Sequence, residues 1–275
     1  LFKKWENERV AKAFITGGSS YLGIKLIEHF SDFQFTALVH KKLIKYKNVK
    51  LLKVDTPEDI MKNFKDEKYD YVFHFATQKY MENDIDKIES YIDTNIDLGR
   101  LLLDASKSIN LKLFVSSGTL WQSVLKGKTN LYTITKKQFE EYLYYYSKFV
   151  NFRSLSLRLG DLYGPNDFRN KLIPYIKNNE NNSHIKFISN GSDLISPVNI
   201  IDVIDAIEFS LNNKKSNFEA LHLASNPMTI KIFVEKYKEI RNKNFDTIYG
   251  NSKNNFYSIN DFNNNVNNLW ENKIT

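Results

Sequence analysis

The sequence predicts an α/β fold, a doubly wound parallel sheet with helices on both faces and a smaller C-terminal α/β lobe. Three observations carry that expectation. The first two-thirds of the 275 residues alternates short apolar or aromatic runs with longer amphipathic ones, and parallel strands need such crossovers. The first apolar run enters a glycine-containing turn that opens an apolar helix. Beyond about Gly160 the pattern loosens into an irregular, Asn-bearing stretch.

Lys12 to Thr16 (KAFIT) reads as the first strand, and the helix after it as about Tyr21 to Phe30. Phe35 to His40 and Val49 to Val54 read as the second and third strands, and Ile60 to Phe64 as a short helix. Tyr71 to Ala76 (YVFHFA) reads as a fully buried strand, followed by two helical stretches between about Asp84 and Ser108. Leu111 to Ser117 is a further strand, Thr133 to Ser147 a long helix, and Ser154 to Leu159 completes the set. In the second lobe, helices are expected at Val203 to Leu211 and Ile230 to Asn242. The domains are expected at residues 1–160 and 161–275, partly interleaved, since no repeat or linker-like break separates them.

Composition narrows the class. A hydrophobic fraction of 42% with 14% aromatics excludes a disordered chain. Zero Cys excludes a disulfide framework, a thiol nucleophile and a Cys-ligated metal. His29, His184 and His222 lack metal-ligand spacing, so no metal is expected. No run approaches the roughly 20 apolar residues of a membrane span, and Leu1 to Arg9 lacks the apolar core of a signal peptide. A soluble, cytoplasmic protein is expected. The 39 Lys plus Arg exceed the 32 Asp plus Glu by seven, but the basic residues are dispersed among acids. That pattern favours a solvated surface over a nucleic-acid footprint and leaves phosphorylated small molecules as natural guests. The Asn-rich stretches at Asn178 to Asn182 and Asn263 to Asn268 read as surface bias.

The turn after the first strand reads Thr16-Gly17-Gly18-Ser19-Ser20-Tyr21-Leu22-Gly23. A strand that turns sharply into a helix N-terminus offers unpaired N–H groups and a positive dipole end to a pyrophosphate. Gly17 permits the turn and Gly23 lets the helix approach the sheet. Later in the chain, Tyr132-Thr-Ile-Thr-Lys136 places a phenol and an ammonium one helical turn apart, which favours the phenolate and lowers its pKa from about 10. Such a pair is weak evidence alone in a chain with 16 Tyr. Its weight comes from Ser117, which ends the preceding strand four residues before Trp121. The ends of parallel strands are where an open α/β sheet offers its crevice.

Turn, Ser117 and Tyr-x-x-x-Lys, in this order, resemble the extended short-chain dehydrogenase/reductase family of epimerases, dehydratases and reductases. Its Thr-Gly-x-x-Gly-x-x-Gly pattern is kept except that Ser20 replaces the middle glycine, where its hydroxyl is suited to donate to the pyrophosphate. The resemblance implies a Rossmann-type fold holding a nicotinamide dinucleotide. The first turn would hold it through Gly17, Ser19, Ser20, Tyr21 and Leu22, and the end of the second strand through His40 and Lys41. Asp55 and Thr56, then Phe75, Ala76 and Thr77, would line the adenosine half. Val115, Tyr132, Lys136, Leu159 and Gly160 would line the nicotinamide half. Cations at Val39-His40-Lys41-Lys42, where an acidic residue would repel a 2′-phosphate, favour NADPH, with NADH or NAD as the alternative. His74 is expected to pack with a hydrogen bond, and Asn95 to serve structure by satisfying a strand carbonyl.

Arg158-Leu-Gly-Asp-Leu-Tyr-Gly-Pro165, Ser117-Gly-Thr-Leu-Trp-Gln122, Lys136-Lys-Gln-Phe-Glu140 and Phe168-Arg-Asn-Lys-Leu172 resemble the branch containing CDP-abequose and CDP-paratose synthases. That implies reduction of the 4-keto group of a CDP-linked deoxysugar, bound through Ser117, Gly118, Thr119, Tyr132 and Lys171. Tyr132 would donate the proton, Ser117 hold the oxygen, and Lys136 tune the phenol and anchor the ribose. Ile195 stands where many epimerases carry Arg. The family's dehydratases place an acid and a base after the hydroxyl residue, where this chain has Gly118 and Thr119. Double epimerisation uses a Cys, which is absent. A 4-epimerase that recycles tightly held NAD, and a non-catalytic NADP-binding sensor, stay open. Family relatives pair through the helix carrying Tyr132, so a homodimer using Tyr142, Leu143, Tyr145 and Phe149 is expected.

Overall fold

The computed structural model describes residues 9–39, 45–79, 85–124, 130–213 and 216–252, with 259, 262, 263, 266, 269 and 270 towards the C-terminus. In the first half the chain forms β1 (Lys12–Thr16), α1 (Tyr21–His29), β2 (Gln34–Leu38), β3 (Val49–Leu52), α2 (Pro57–Glu67), β4 (Tyr71–His74), α3 (Ile88–Ile92), α4 (Leu98–Ser106), β5 (Leu113–Thr119) and α5 (Leu131–Ser147). Then come β6 (Arg153–Leu159), β7 (Asp161–Tyr163), α6 (Leu172–Asn179), β8 (His184–Ser189), β9 (Leu194–Ile195), β10 (Pro197–Asn199), α7 (Ile200–Asn212), β11 (Phe218–Leu223), β12 (Met228–Thr229), α8 (Ile230–Arg241) and β13 (Asp246–Ser252). Seven strands form one parallel sheet in the order β11-β6-β5-β4-β1-β2-β3, the Rossmann arrangement flanked by helices. Strand β1 sits inside it, with Ile15 opposite Ala37 of β2 and Phe73 of β4.

The expected elements recur with shifted ends. Helix α2 is longer than Ile60 to Phe64 because Pro57 fits its first turn and Thr56 and Asp59 close a capping box. Between β4 and β5 the helical run is continuous but irregular, with a wide π turn over Asp93–Asp97 joining α3 to α4. The stretch beyond Gly160, expected to be irregular, holds helix α6 and six short strands, four before β11 and two after it. Their pairings are β7 with β10, β8 with β13 and β9 with β12.

The chain divides into two compact units. The first comprises Leu1–Ser117, Thr135–Ser156 and Ser210–Ala220, and the second Gly118–Ile134, Leu157–Phe209 and Leu221–Thr275. In the first, Phe14 of β1 meets Phe64 of α2 and Tyr69 at ring separations of 4.8 and 5.3 Å, and Leu102, Phe114, Phe139 and Leu143 extend the same core. In the second, Ile176, Ile185, Phe187, Ile230, Val234 and Phe245 form one cluster, and alternation along β8 turns Ile185 and Phe187 inward. Among the described residues no helix is long and apolar enough to cross a membrane.

Phe64, in the last turns of α2, is wholly buried against Phe14 of β1. Phe64→Ala is expected to lower unfolding stability by about 3–5 kcal/mol, measured by urea denaturation, because the cavity adds to the lost transfer energy. A loss below about 1 kcal/mol would contradict this packing.

Candidate active site

Strand β1 delivers the chain to Gly17, whose φ of +70° is a left-handed conformation that side chains disfavour. A Cβ there would stand 2.6 Å from Ala76 N and Phe75 C, so the turn lies flush against the chain leaving β4. Ser20 N–H donates to Gly17 O at 2.9 Å, closing the turn. Ser20 also caps α1, its Oγ accepting from Gly23 N–H at 3.1 Å. That role leaves the hydroxyl proton for another acceptor. The Tyr21 and Leu22 side chains are buried, so what they offer a ligand is main-chain N–H at the helix start. The cradle offers the groups that suit a pyrophosphate, backbone donors and a positive helix end.

Behind the cradle, Thr16 Oγ1 lies 2.8 Å from His74 Nδ1 and accepts from Ala76 N–H at 3.2 Å. Burial, with a smaller contribution from the Lys136 charge, lowers the His74 pKa to about 3. His74 is a neutral, hydrogen-bonded packing side chain against Phe139, with rings 5.3 Å apart. Phe75 is buried, and Thr77 is exposed with its hydroxyl donating to Asn95 Oδ1 at 3.0 Å.

Asn95 does more than satisfy a carbonyl. The π turn places it at the centre of four hydrogen bonds. Its Oδ1 accepts from Thr77 Oγ1 and from Gln78 N–H at 2.7 Å, and its Nδ2 donates to Gln78 O at 3.1 Å and Thr135 Oγ1 at 3.0 Å. Thr135 precedes Lys136, so one buried amide fixes α5 to the loop after β4.

Lys136 is buried, and its Nζ donates to Ser117 O at 2.7 Å. Burial lowers its pKa to about 7. One turn further along α5, buried Glu140 accepts from Ser156 Oγ of β6 at 2.5 Å. Tyr132 lies half-buried in the first turn of α5, about 6 Å back along the helix from Lys136 by helical rise. The β5 end around Ser117 is buried through Thr119. A Cβ on Gly118 would stand 2.7 Å from Gln122 Oε1, which also accepts from Thr119 N–H at 3.0 Å. Gln122, unremarked in the motif, fills the space a larger residue 118 would need. The Thr-x-x-Gln capping-box spacing was the available signal.

Other expected ligand residues are placed as follows. Thr56 is the N-cap of α2, its N–H and hydroxyl both donating to Asp59 Oδ2, and Asp55 N–H reaches the same oxygen at 3.2 Å. Val115 is fully buried in β5, which restricts it to a main-chain role. Leu159 and Gly160 end β6 half-buried, with Gly160 N–H donating to Leu223 O at 2.9 Å. Lys171 is exposed and caps α6. Ser19 is half-buried in the turn. His40 and Lys41 lie outside the described residues. A cavity of about 870 Å³, lined by Arg9, Asp70, Lys112 and Phe152 among others, opens where β4 to β6 begin and holds none of the expected site residues.

The Lys136 environment predicts a pH dependence. With a pKa near 7 when folded and 10.5 as an ordinary lysine, it binds fewer protons in the folded state throughout that window. Its contribution to stability therefore rises as pH rises from 7 towards 10.5 and is flat below 7. Denaturation of the wild type and Lys136→Met at pH 7 and pH 10 should show the wild type gaining on the variant at the higher pH. A difference that does not change with pH would contradict the burial.

The NAD dependent epimerase/dehydratase family matches residues 13–223. A CDP-abequose synthase of Yersinia pseudotuberculosis is 26% identical over 260 residues, covering 87% of this chain and 88% of that one. UDP-N-acetylglucosamine 4-epimerase from Methanobrevibacter ruminantium M1, solved with UDP-N-acetylmuramic acid, aligns at a TM-score of 0.74 and 20% identity, over 97% of this chain and 95% of that one. UDP-glucuronic acid 4-epimerase from Bacillus cereus, solved with UDP-glucuronic acid and NAD, aligns at 0.72 and 18% identity, over 92% of each. The likeness to solved structures at such identities shows the fold, and the match across three-quarters of the sequence shows membership. This chain belongs to the NAD dependent epimerase/dehydratase family.

Proposed function

We propose that the protein reduces the 4-keto group of a CDP-linked 4-keto-deoxyhexose with NADPH, a reaction suited to making sugars of surface polysaccharides. The observation that carries this reading is the stretch after Ser117. Gly118 and Thr119 supply no acid–base pair, and Gln122 fills the space beside Gly118, so elimination of water lacks its proton carriers. The similarity to CDP-abequose synthase supports the CDP-sugar class. The basic residues His40 and Lys41 support NADPH.

The residues divide the work. When bound, the reduced nicotinamide supplies the hydride that reaches the keto carbon. Tyr132 gives its phenolic proton to the carbonyl oxygen as charge develops there, and the Ser117 hydroxyl donates to the same oxygen and holds it. Lys136 spends one of its three N–H donors on Ser117 O, leaving two for the ribose hydroxyls and the phenolate. Burial lowers its pKa to about 7, and an anionic ligand or the phenolate beside it would draw it back to the ammonium. Gly17, Ser19, Ser20 and the N–H groups of Tyr21 and Leu22 would hold the pyrophosphate, and Lys171 the diphosphate of the sugar nucleotide.

A homodimer through α5 is part of this proposal. Tyr142, Tyr145 and Phe149 are exposed along one stripe, with the last two rings 4.9 Å apart, whereas Leu143 points into the core. A second reading, 4-epimerisation with NAD retained, draws on the solved 4-epimerases of similar fold.

Purified protein given NADPH with CDP-, GDP-, UDP- and dTDP-4-keto sugars should oxidise NADPH fastest with the CDP sugar. Tight NADPH binding with no oxidation by any of them would instead indicate a sensor. Tyr132→Phe is expected to keep NADPH binding and lose about a hundredfold or more in turnover, the usual worth of general acid catalysis. Unchanged turnover would overturn its role. Lys41→Glu with His40→Asp should shift the ratio of kcat/KM values towards NADH, and an unmoved ratio would refute the cofactor assignment.

A further inference from the structure

Histidine 222 joins three segments that are remote in sequence. It lies buried on β11, the outer strand of the seven-stranded sheet. Its main chain receives two residues from near the C-terminus: Trp270 N–H donates to His222 O at 2.9 Å, and Leu269 bridges it in parallel. Its ring faces inward, with Nε2 3.0 Å from Arg158 Nη1 and 3.1 Å from Ser123 Oγ. A guanidinium only donates, so Nε2 is an acceptor and the ring proton of the neutral imidazole sits on Nδ1. Arg158 is near the end of β6, and Ser123 closes the short 3₁₀ turn Leu120–Ser123 that follows β5.

The turn at 120–124 packs on Phe262, Val266 and Leu269. Leu120 and Val124 are at most 1% exposed, in a cluster completed by Ala224, Phe262 and Val266, with Trp121 and Leu269 packed against it. Trp270 stacks edge-on with Phe209 of α7 at 5.4 Å. Apolar cover and the His222 ring therefore hold this turn beyond its covalent attachment to Gly118 and Thr119.

We propose that His222 is a positioning residue through which Leu269 and Trp270 set the placement of residues 118–124, and with it recognition of the sugar nucleotide. This rests on the reading that Ser117 to Thr119 contact that substrate. The neutral ring is the keystone. Replacing it with an apolar residue removes the Nε2 contact to Arg158 and Ser123 and changes no residue of the dinucleotide cradle.

The test compares His222→Leu with His222→Gln, whose side-chain carbonyl restores an acceptor near the Nε2 position. Two quantities are followed: amide hydrogen exchange of residues 118–124 in the full chain, and kcat and KM for a CDP-4-keto sugar beside the Kd for NADPH. His222→Leu should speed exchange in that turn and raise KM for the sugar nucleotide by roughly tenfold or more, the order expected for a lost hydrogen bond to a charged group. The NADPH Kd should stay within about twofold, and His222→Gln should recover most of both losses. Phe262→Ala, which opens the apolar cover without touching the ring, should also speed exchange in the turn and serves if His222→Leu does not fold. Exchange in the turn that matches wild type in the variants, or a Gln variant no better than Leu, would overturn the proposal. If wild type turns over no keto sugar, the reductase reading fails on its own, and the exchange data still decide the role of His222.

Discussion

A buried ammonium with a carbonyl for company is the constraint on which the site depends. Lys136 is taken out of water, and its contact to Ser117 O compensates only part of that desolvation. The side chain can stay there because α5 is pinned from several directions. Asn95 holds Thr135 to the loop after β4, Glu140 holds Ser156 of β6, and Phe139 packs on His74. A helix so fixed keeps Lys136 against the end of β5, as the service to a phenol and a ribose proposed for it requires.

The nucleotide cradle is built on the same economy of space. Gly17 lies against the backbone of Phe75 and Ala76, and Thr16 reaches across to His74 and Ala76. The ends of β1 and β4 are thereby locked by side chains with little exposure, leaving main-chain N–H groups of α1 as the outward-facing chemistry. His74 illustrates how burial assigns roles. A histidine at a strand end could titrate near neutrality, yet here desolvation holds it neutral far below its ordinary range.

Much of this was legible in the residues and some was not. The strands at Lys12 to Thr16 and Tyr71 to His74 declare themselves as short apolar runs bounded by turns, because both their faces are covered. Gly17, Ser117 and the Tyr132–Lys136 spacing were readable because their chemistry demands particular residue types. The length of α2 was written in Thr56, Pro57 and Asp59, a local signal that apolar periodicity alone overlooked. The π turn at Asn95 has no comparable local signature, since it arises where the helix must aim one amide at two other segments. Strands β8 and β13 pair in parallel across some sixty residues of chain, and exposed positions such as Ile188 and Ile248 blur their alternation. The role of Gln122 needed coordinates, because its partner is the missing side chain of Gly118.

The account's central claim is a net reduction, in which the proton comes from Tyr132 and the sugar keeps the hydride. Incubating the purified protein with a CDP-4-keto-6-deoxy sugar and NADPH carrying deuterium on the transferring face tests it most directly. The account predicts stoichiometric loss of NADPH and deuterium retained on the former keto carbon of an alcohol product. Interconversion of sugar epimers with no net oxidation of the dinucleotide would contradict it.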